Sequence, residues 1–126
     1  MINEREENYK YLINKAINDE NLDLLKSMPE EYLPNISTKN DVLEKYCADD
    51  NLFIIKYIKL TIQDKNILSI LLKYACQYGK INIVKYLIEK EVDFHIYIDY
   101  ALIWACQNGH LNVVNYLKDY MDKYFA

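Results

Sequence analysis

Apolar residues in the last third of the chain fall at helical spacing, stop, and then resume. Ala101, Leu102, Ala105 and Cys106 share one face of a helix, Asn108-Gly109 breaks the pattern, and Val113, Val114 and Leu117 restart it. About thirty residues earlier the same order appears almost letter for letter. Ala75-Cys76-Gln77-Tyr78-Gly79-Lys80-Ile81-Asn82-Ile83-Val84-Lys85-Tyr86-Leu87 is answered by Ala105-Cys106-Gln107-Asn108-Gly109-His110-Leu111-Asn112-Val113-Val114-Asn115-Tyr116-Leu117. The periodicity predicts helices at Glu4 to Asn18, Leu22 to Ser27, Asn40 to Ala48, Leu52 to Leu60, Asn66 to Tyr78, Ile81 to Lys90, Ile98 to Asn108 and Leu111 to Tyr124.

Fainter copies precede these two. Leu52, Ile54, Ile55, Lys56, Tyr57 and Ile58 align with Ile81, Ile83, Val84, Lys85, Tyr86 and Leu87. Asn21, Leu22, Leu24, Leu25, Lys26 and Met28 align in turn with Asn51, Leu52, Ile54, Ile55, Lys56 and Ile58. Self-similarity at a fixed period marks a stacked array, in which each repeat buries its apolar face against its neighbours. The expectation is an all-α solenoid of four helix-turn-helix repeats, at 4–38, 39–65, 66–95 and 96–126, forming one domain. Gly79 and Gly109 stand where the first helix of a repeat must close in a left-handed conformation, which glycine adopts without a side-chain clash. Asp50 and Glu20 take that place earlier, so those turns are either built differently or strained.

Composition narrows the function classes. The 126 residues are 52% hydrophobic, enough for a core, and the net charge of −4 has no basic block that could track phosphates. Nucleic acid is therefore not an expected partner. The acidic start, Met1-Ile2-Asn3-Glu4-Arg5-Glu6-Glu7, is unlike a secretory signal, and no apolar run reaches membrane-spanning length, so a soluble intracellular protein is expected. Cys47, Cys76 and Cys106 occupy equivalent positions of successive repeats, which fits buried apolar residues in a reducing compartment.

The segment from Ala105 to Leu117 resembles the helix-turn-helix core of ankyrin repeats, and Val92-Asp93-Phe94-His95 resembles the turn that follows it in that family. The family's Thr-Pro-Leu-His opening is reduced here to Tyr100-Ala101-Leu102-Ile103, whose leucine has the counterparts Leu72, Leu43 and Ile13. The connection after Asp93 is too short for the family's β-hairpin finger, so short loops are expected in its place. Shortened, Tyr- and Asn-rich repeats of this kind are similar to the ankyrin arrays of giant DNA viruses. The resemblance implies a non-catalytic module that binds a protein, host or viral, in the cytoplasm of a host cell. It also implies a contact surface at loop tips and exposed first-helix ends: Gln77, Tyr78, Gln107 and Asn108, with Ile96, Tyr97 and Asp99 on the intervening loop. Fainter equivalents are Asn18, Asp19, Ala48 and Asp49.

Chemistry finds little support. His95 and His110 beside three cysteines would suffice in kind for nucleophilic catalysis, but the repeat already accounts for each of them. A shared zinc needs sulfurs about 2.3 Å from the ion. Equivalent residues of stacked helices lie roughly 8–10 Å apart. No catalytic residue, metal site or cofactor is expected. Trp104 falls on an apolar register and is expected in the core, and Lys26, Lys56 and Lys85 on a solvated face. A second reading is a self-assembling array joined through its apolar ending, Tyr120-Met121 and Tyr124-Phe125-Ala126. The expected state is accordingly a monomer or a weak self-associating species.

Overall fold

The computed structural model describes residues 3–33, 37–62, 64–90 and 97–125, and the side chain of residue 125 is not among them. Every regular element in these residues is helical: α1 (Glu4–Asn18), α2 (Leu22–Lys26), α3 (Asn40–Ala48), α4 (Leu52–Thr61), α5 (Lys65–Gln77), α6 (Ile81–Lys90), α7 (Ile98–Gln107) and α8 (Leu111–Phe125). A single 3-10 turn, Glu30–Tyr32, lies between α2 and α3. The all-α class and the paired helices expected from periodicity are thus observed. The 3-10 turn is an addition, for it starts after Pro29, where no apolar period announces a helix. The turn expected at Val92 to His95 lies outside the described residues, as do Ile96 and Ala126.

The chain divides into two compact parts, Met1–Ile36 and Ser37–Ala126. In the first, α1 packs against α2. Asn3 begins α1 by accepting a hydrogen bond from the Glu6 amide at 2.8 Å, and Glu4, Glu6 and Glu7 place negative charge at the positive end of the helix dipole. Tyr9 stacks on Tyr32 with ring centroids 4.6 Å apart, which holds the 3-10 turn against α1.

In the second part the first helices of the repeats, α3, α5 and α7, pack closely side by side, whereas the second helices α4, α6 and α8 approach one another far less. Side-chain size explains the difference. Cys47, Ala75, Cys76, Ala101 and Ala105 all lie fully buried on first helices and let those backbones approach. The Cys47 thiol even donates to the Leu71 carbonyl of the next first helix at 3.4 Å. Ile55, Ile58, Ile83, Val84, Leu87, Ile88, Val113 and Leu117 fill the layer beneath from the second helices. A row packed tightly on one side and loosely on the other curves toward the tight side, so the first helices line its inner face.

One turn geometry recurs. After α5 the Lys80 amide donates to the Ala75 carbonyl at 2.9 Å, and after α7 the His110 amide donates to the Ala105 carbonyl at 3.0 Å. After α3 and α1 the same bond runs from Asn51 to Tyr46 at 3.0 Å and from Asn21 to Ala16 at 2.8 Å. This is the Schellman closure, which requires a left-handed residue one position earlier. Gly79 (φ 68°) and Gly109 (φ 72°) supply it as anticipated, and Asp50 (φ 57°) and Glu20 (φ 52°) adopt the same conformation despite their side chains. The early turns are therefore not differently built; they carry strain of about 1–2 kcal/mol each. The next residue offsets part of it. The Asn51 side chain accepts from the Ile54 amide at 3.2 Å and that of Asn21 from the Leu24 amide at 3.0 Å, capping α4 and α2.

Candidate functional site

Each first helix of the larger part has one stripe turned inward and one left uncovered. Following the uncovered stripe by repeat register, Asp41, Ile70 and Tyr100 are equivalent, then Glu44, Lys73 and Ile103, then Lys45, Tyr74 and Trp104. At the helix ends, Ala48, Gln77 and Gln107 correspond, as do Asp49, Tyr78 and Asn108. The face changes character along the row. It is charged on α3, mixed on α5 and apolar on α7.

The α7 end concentrates exposed apolar surface. Tyr100 is 58% exposed, Ile103 50% and neighbouring Tyr78 40%, while Trp104 is half-buried and stacks on Tyr100 with ring centroids 6.2 Å apart. Trp104 is thus not the core residue that its apolar identity suggested. Its equivalents Lys45 and Tyr74 also remain partly open to solvent, and register rather than hydrophobicity decides the position.

Of the residues implied by resemblance, Gln77, Tyr78, Gln107 and Asn108 come together at the adjacent C-terminal ends of α5 and α7. The Tyr78 hydroxyl donates to Glu44 Oε1 at 2.7 Å across the face, and this hydrogen bond, with smaller contributions from burial and the carboxylate's charge, raises the phenol's pKa. Asn108 Nδ2 donates to the Trp104 carbonyl at 2.8 Å, which fixes its amide beside the indole's helix. The Gln77 side chain is half-buried, and its backbone carbonyl accepts from His110 Nε2 at 2.7 Å. Asp99 is exposed in the first turn of α7 and Tyr97 half-buried just before it. Asp99 precedes Asn108 by about 13 Å along the helix, so these two belong to the other edge of the face. Tyr100, Ile103 and Trp104 lie between the two edges. The signal for them was present in the sequence, since they form a helical stripe with Gln107 opposite Ala101 and Ala105.

One further expectation is corrected. Cys106 is exposed, whereas Cys47 and Cys76 are buried. Leu72 and Cys76 lie fully buried on α5, against which α7 packs; at the same register Leu102 is half-buried and Cys106 exposed, and among the described residues no further helix follows α7 on that side. Burial pushes the Cys76 thiol up to about 12, with a smaller contribution from Cys47, and burial alone pushes Cys47 to about 12. The lysine series stands on a solvent-facing side as expected, with Lys26 and Lys85 exposed and Lys56 half-buried, and two of its members also lie over rings. Lys56 Nζ rests 5.5 Å from the centroid of the Tyr86 ring, and Lys85 Nζ 5.6 Å from that of Tyr116, each on the following second helix. Burial raises the Tyr86 phenol; Tyr116 is raised further by burial and by Glu89, whose carboxylate accepts its hydroxyl at 3.2 Å.

Elsewhere the structure offers little chemistry. In the first compact part a groove of about 560 Å³ is lined by Glu6, Lys10, Ile13, Asn14, Glu31 and Tyr32, charges of both signs without a thiol or imidazole. Among the described residues no group of three or more His, Cys, Asp or Glu side chains could hold a metal ion. Among the same residues no helix is long and apolar enough to cross a membrane.

A protein-family model described as ankyrin repeats (3 copies) matches residues 15–124. Comparison with curated proteins and with solved structures finds no match.

Proposed function

Because this chain belongs to the ankyrin-repeat family, whose members are generally protein-binding and typically non-catalytic, we propose that it is a binding module that takes a partner protein on the inner, first-helix face of residues 37–126. The observation that carries this reading is the stripe of well-exposed Tyr100 and Ile103 beside half-buried Trp104 on α7, with exposed Tyr78 at the end of α5. Large amphipathic rings give contact area at low entropic cost, and Trp and Tyr dominate the energetics of interfaces. Gln77, Gln107 and Asn108 supply hydrogen-bonding groups at one edge, and Tyr97 and Asp99 at the other. The partner is read as a host or viral protein and the place of action as the cytoplasm of a host cell. Two buried, unpaired thiols, Cys47 and Cys76, support a reducing compartment.

The test is affinity capture with the intact chain and with its Ile103→Asp and Tyr78→Ala variants, after circular dichroism has shown that each variant folds. Loss of about 2 kcal/mol or more in Ile103→Asp is expected. A prey held equally by all three would remove the face from consideration. A second reading, self-association, draws on the uncovered Leu102 and Cys106 and on Tyr124 near the end of α8. Sedimentation velocity over a wide concentration range decides it, since a species that stays monomeric throughout excludes it.

A further inference from the structure

The joint between the third and fourth repeats has two unlike halves, and α7 and α1 each carry one of them unmatched. The forward half is Leu72 and Cys76 on α5, both fully buried, with Gly79 and the Gln77 carbonyl receiving the His110 imidazole. The fourth repeat restates it as Leu102, Cys106, Gln107 and Gly109. There, however, Leu102 is only half-buried and Cys106 exposed, and a Cβ placed on Gly109 would meet nothing within 4 Å, where at Gly79 it would meet the His110 ring. Leu111 is 71% exposed, whereas its counterpart Ile81 is half-buried. The backward half is Leu68 and Leu71 on α5 and Ile98 and Ala101 on α7, all buried. At the same register of α1 stand Tyr9 and Leu12, both half-buried, on a groove of about 410 Å³ that they line with Glu4, Arg5 and Asn8. The polar residues that close off a repeat array are thus absent from positions 12, 102 and 111.

We propose that a second copy of this chain supplies the mate in each case, α1 of one copy lying along α7 of the next as α7 lies along α5 within the chain. Leu12 then covers Leu102 and Cys106. Asn21, which is exposed and holds the register of His110, comes over Gly109. Its Oδ1 is engaged by the Leu24 amide, which leaves Nδ2 to donate to the Gln107 carbonyl as His110 Nε2 does to that of Gln77. The contact continues an interface that the molecule already makes internally, and this continuity selects a second copy as the occupant. Because its two sides differ, the contact is heterologous, and copies join head to tail into open rows or rings instead of face-to-face pairs. This proposal rests on the self-association reading above and names the two surfaces that meet.

Two substitutions test it by complementation in sedimentation velocity over a wide concentration range. Leu12→Arg blocks the backward half and Cys106→Arg the forward half, and circular dichroism verifies that each variant folds. Leu111→Arg, at a side chain already 71% exposed, takes the place of Cys106→Arg if that variant unfolds. The parent is expected to grow in size with concentration and each variant to stay monomeric. An equimolar mixture of the two should form a dimer and nothing larger, since one intact half remains on each. Labelling of Cys106 in the parent should slow as association proceeds. A parent that stays monomeric throughout would overturn the proposal together with the self-association reading. Association of Leu12→Arg at the parental level, lost in Cys106→Arg, would overturn the head-to-tail contact and leave self-association through paired α7 ends standing. Association unchanged in both variants, or a mixture that stays monomeric, would likewise overturn the proposal while the parent's growth upholds self-association.

Discussion

Residues 75–87 and 105–117 have nearly the same sequence and the same backbone, yet they live in different surroundings. On α5, Leu72 and Cys76 are sealed from solvent; on α7, Leu102 is half-buried and Cys106 exposed. A Cβ placed on Gly79 would lie 2.5 Å from His110 Nδ1, whereas one placed on Gly109 would meet nothing within 4 Å. What a residue does in a repeat array is set by what packs against it as much as by its own chemistry.

The widest separation is expected in thiol reactivity. At pH 8 exposed Cys106 should react with a water-soluble thiol reagent far faster than Cys76, which is sealed from the reagent and whose thiolate is suppressed as burial raises its pKa from 9.0 to about 12. Mass spectrometry of the partly labelled, folded protein identifies the site, and label first on Cys76 would contradict the burial described. The sign with pH follows: the unfolded chain gives up the Cys47 and Cys76 protons near 9.0, before the folded chain does near about 12. The contribution of these two thiols to stability should thus be constant below pH 9 and decline as pH climbs from 9 toward about 12.

Gly79→Ala comes next, at about 2–3 kcal/mol of lost stability, made up of left-handed strain and the displacement of His110 from Gln77. Gly109→Ala should cost only the strain, about 1–2 kcal/mol, and Gly79→Val should exceed both. Urea denaturation measures all three, and equal midpoints for the two alanine variants would break the contrast. In a His110→Ala background the excess penalty of Gly79→Ala should disappear, which a double-mutant cycle reads directly.

The early turns extend the contrast at smaller amplitude. Asn51→Ala should cost about 1 kcal/mol through loss of its hydrogen bond to the Ile54 amide, while Lys80→Ala, at the same register, should cost almost nothing. Asp50→Gly should stabilise the protein by up to about 1 kcal/mol through relief of left-handed strain. A Asp50→Gly variant that melts earlier than the parent would mean that the Asp50 side chain makes a compensating contact.

Most of the local physics was legible in the chain, the 3-10 turn at Glu30–Tyr32 being an exception. The 3.6-residue period gave α1, α3 and α6 at their observed bounds, and small shifts elsewhere have plain causes: α5 starts at Lys65 because the Asp64 side chain caps it through the Asn66 amide at 2.8 Å. Position within the array was not legible. Cys106 has the apolar neighbours of Cys76 and lacks only what covers Cys76, which residue type does not encode. Trp104 was misplaced because apolarity was allowed to outvote register, although Lys45 already marked that register as open. The Tyr78 to Glu44 bond spans 34 residues and depends on α3 and α5 lying side by side, so it emerges only once the helices are stacked. Tyr78, Gln77, Gln107 and Asn108 were reachable from repeat register; the stripe of Tyr100, Ile103 and Trp104 required asking which side of α7 the alanines leave outward.

The seating of His110 against Gly79 has a combinatorial consequence. An imidazole can occupy that spot only when the preceding repeat lacks a side chain there, and the second repeat carries Asp50 instead. The fourth repeat therefore seats its imidazole behind the third and would have to move it aside behind the second, so shuffling or deleting modules would carry a penalty at this one joint.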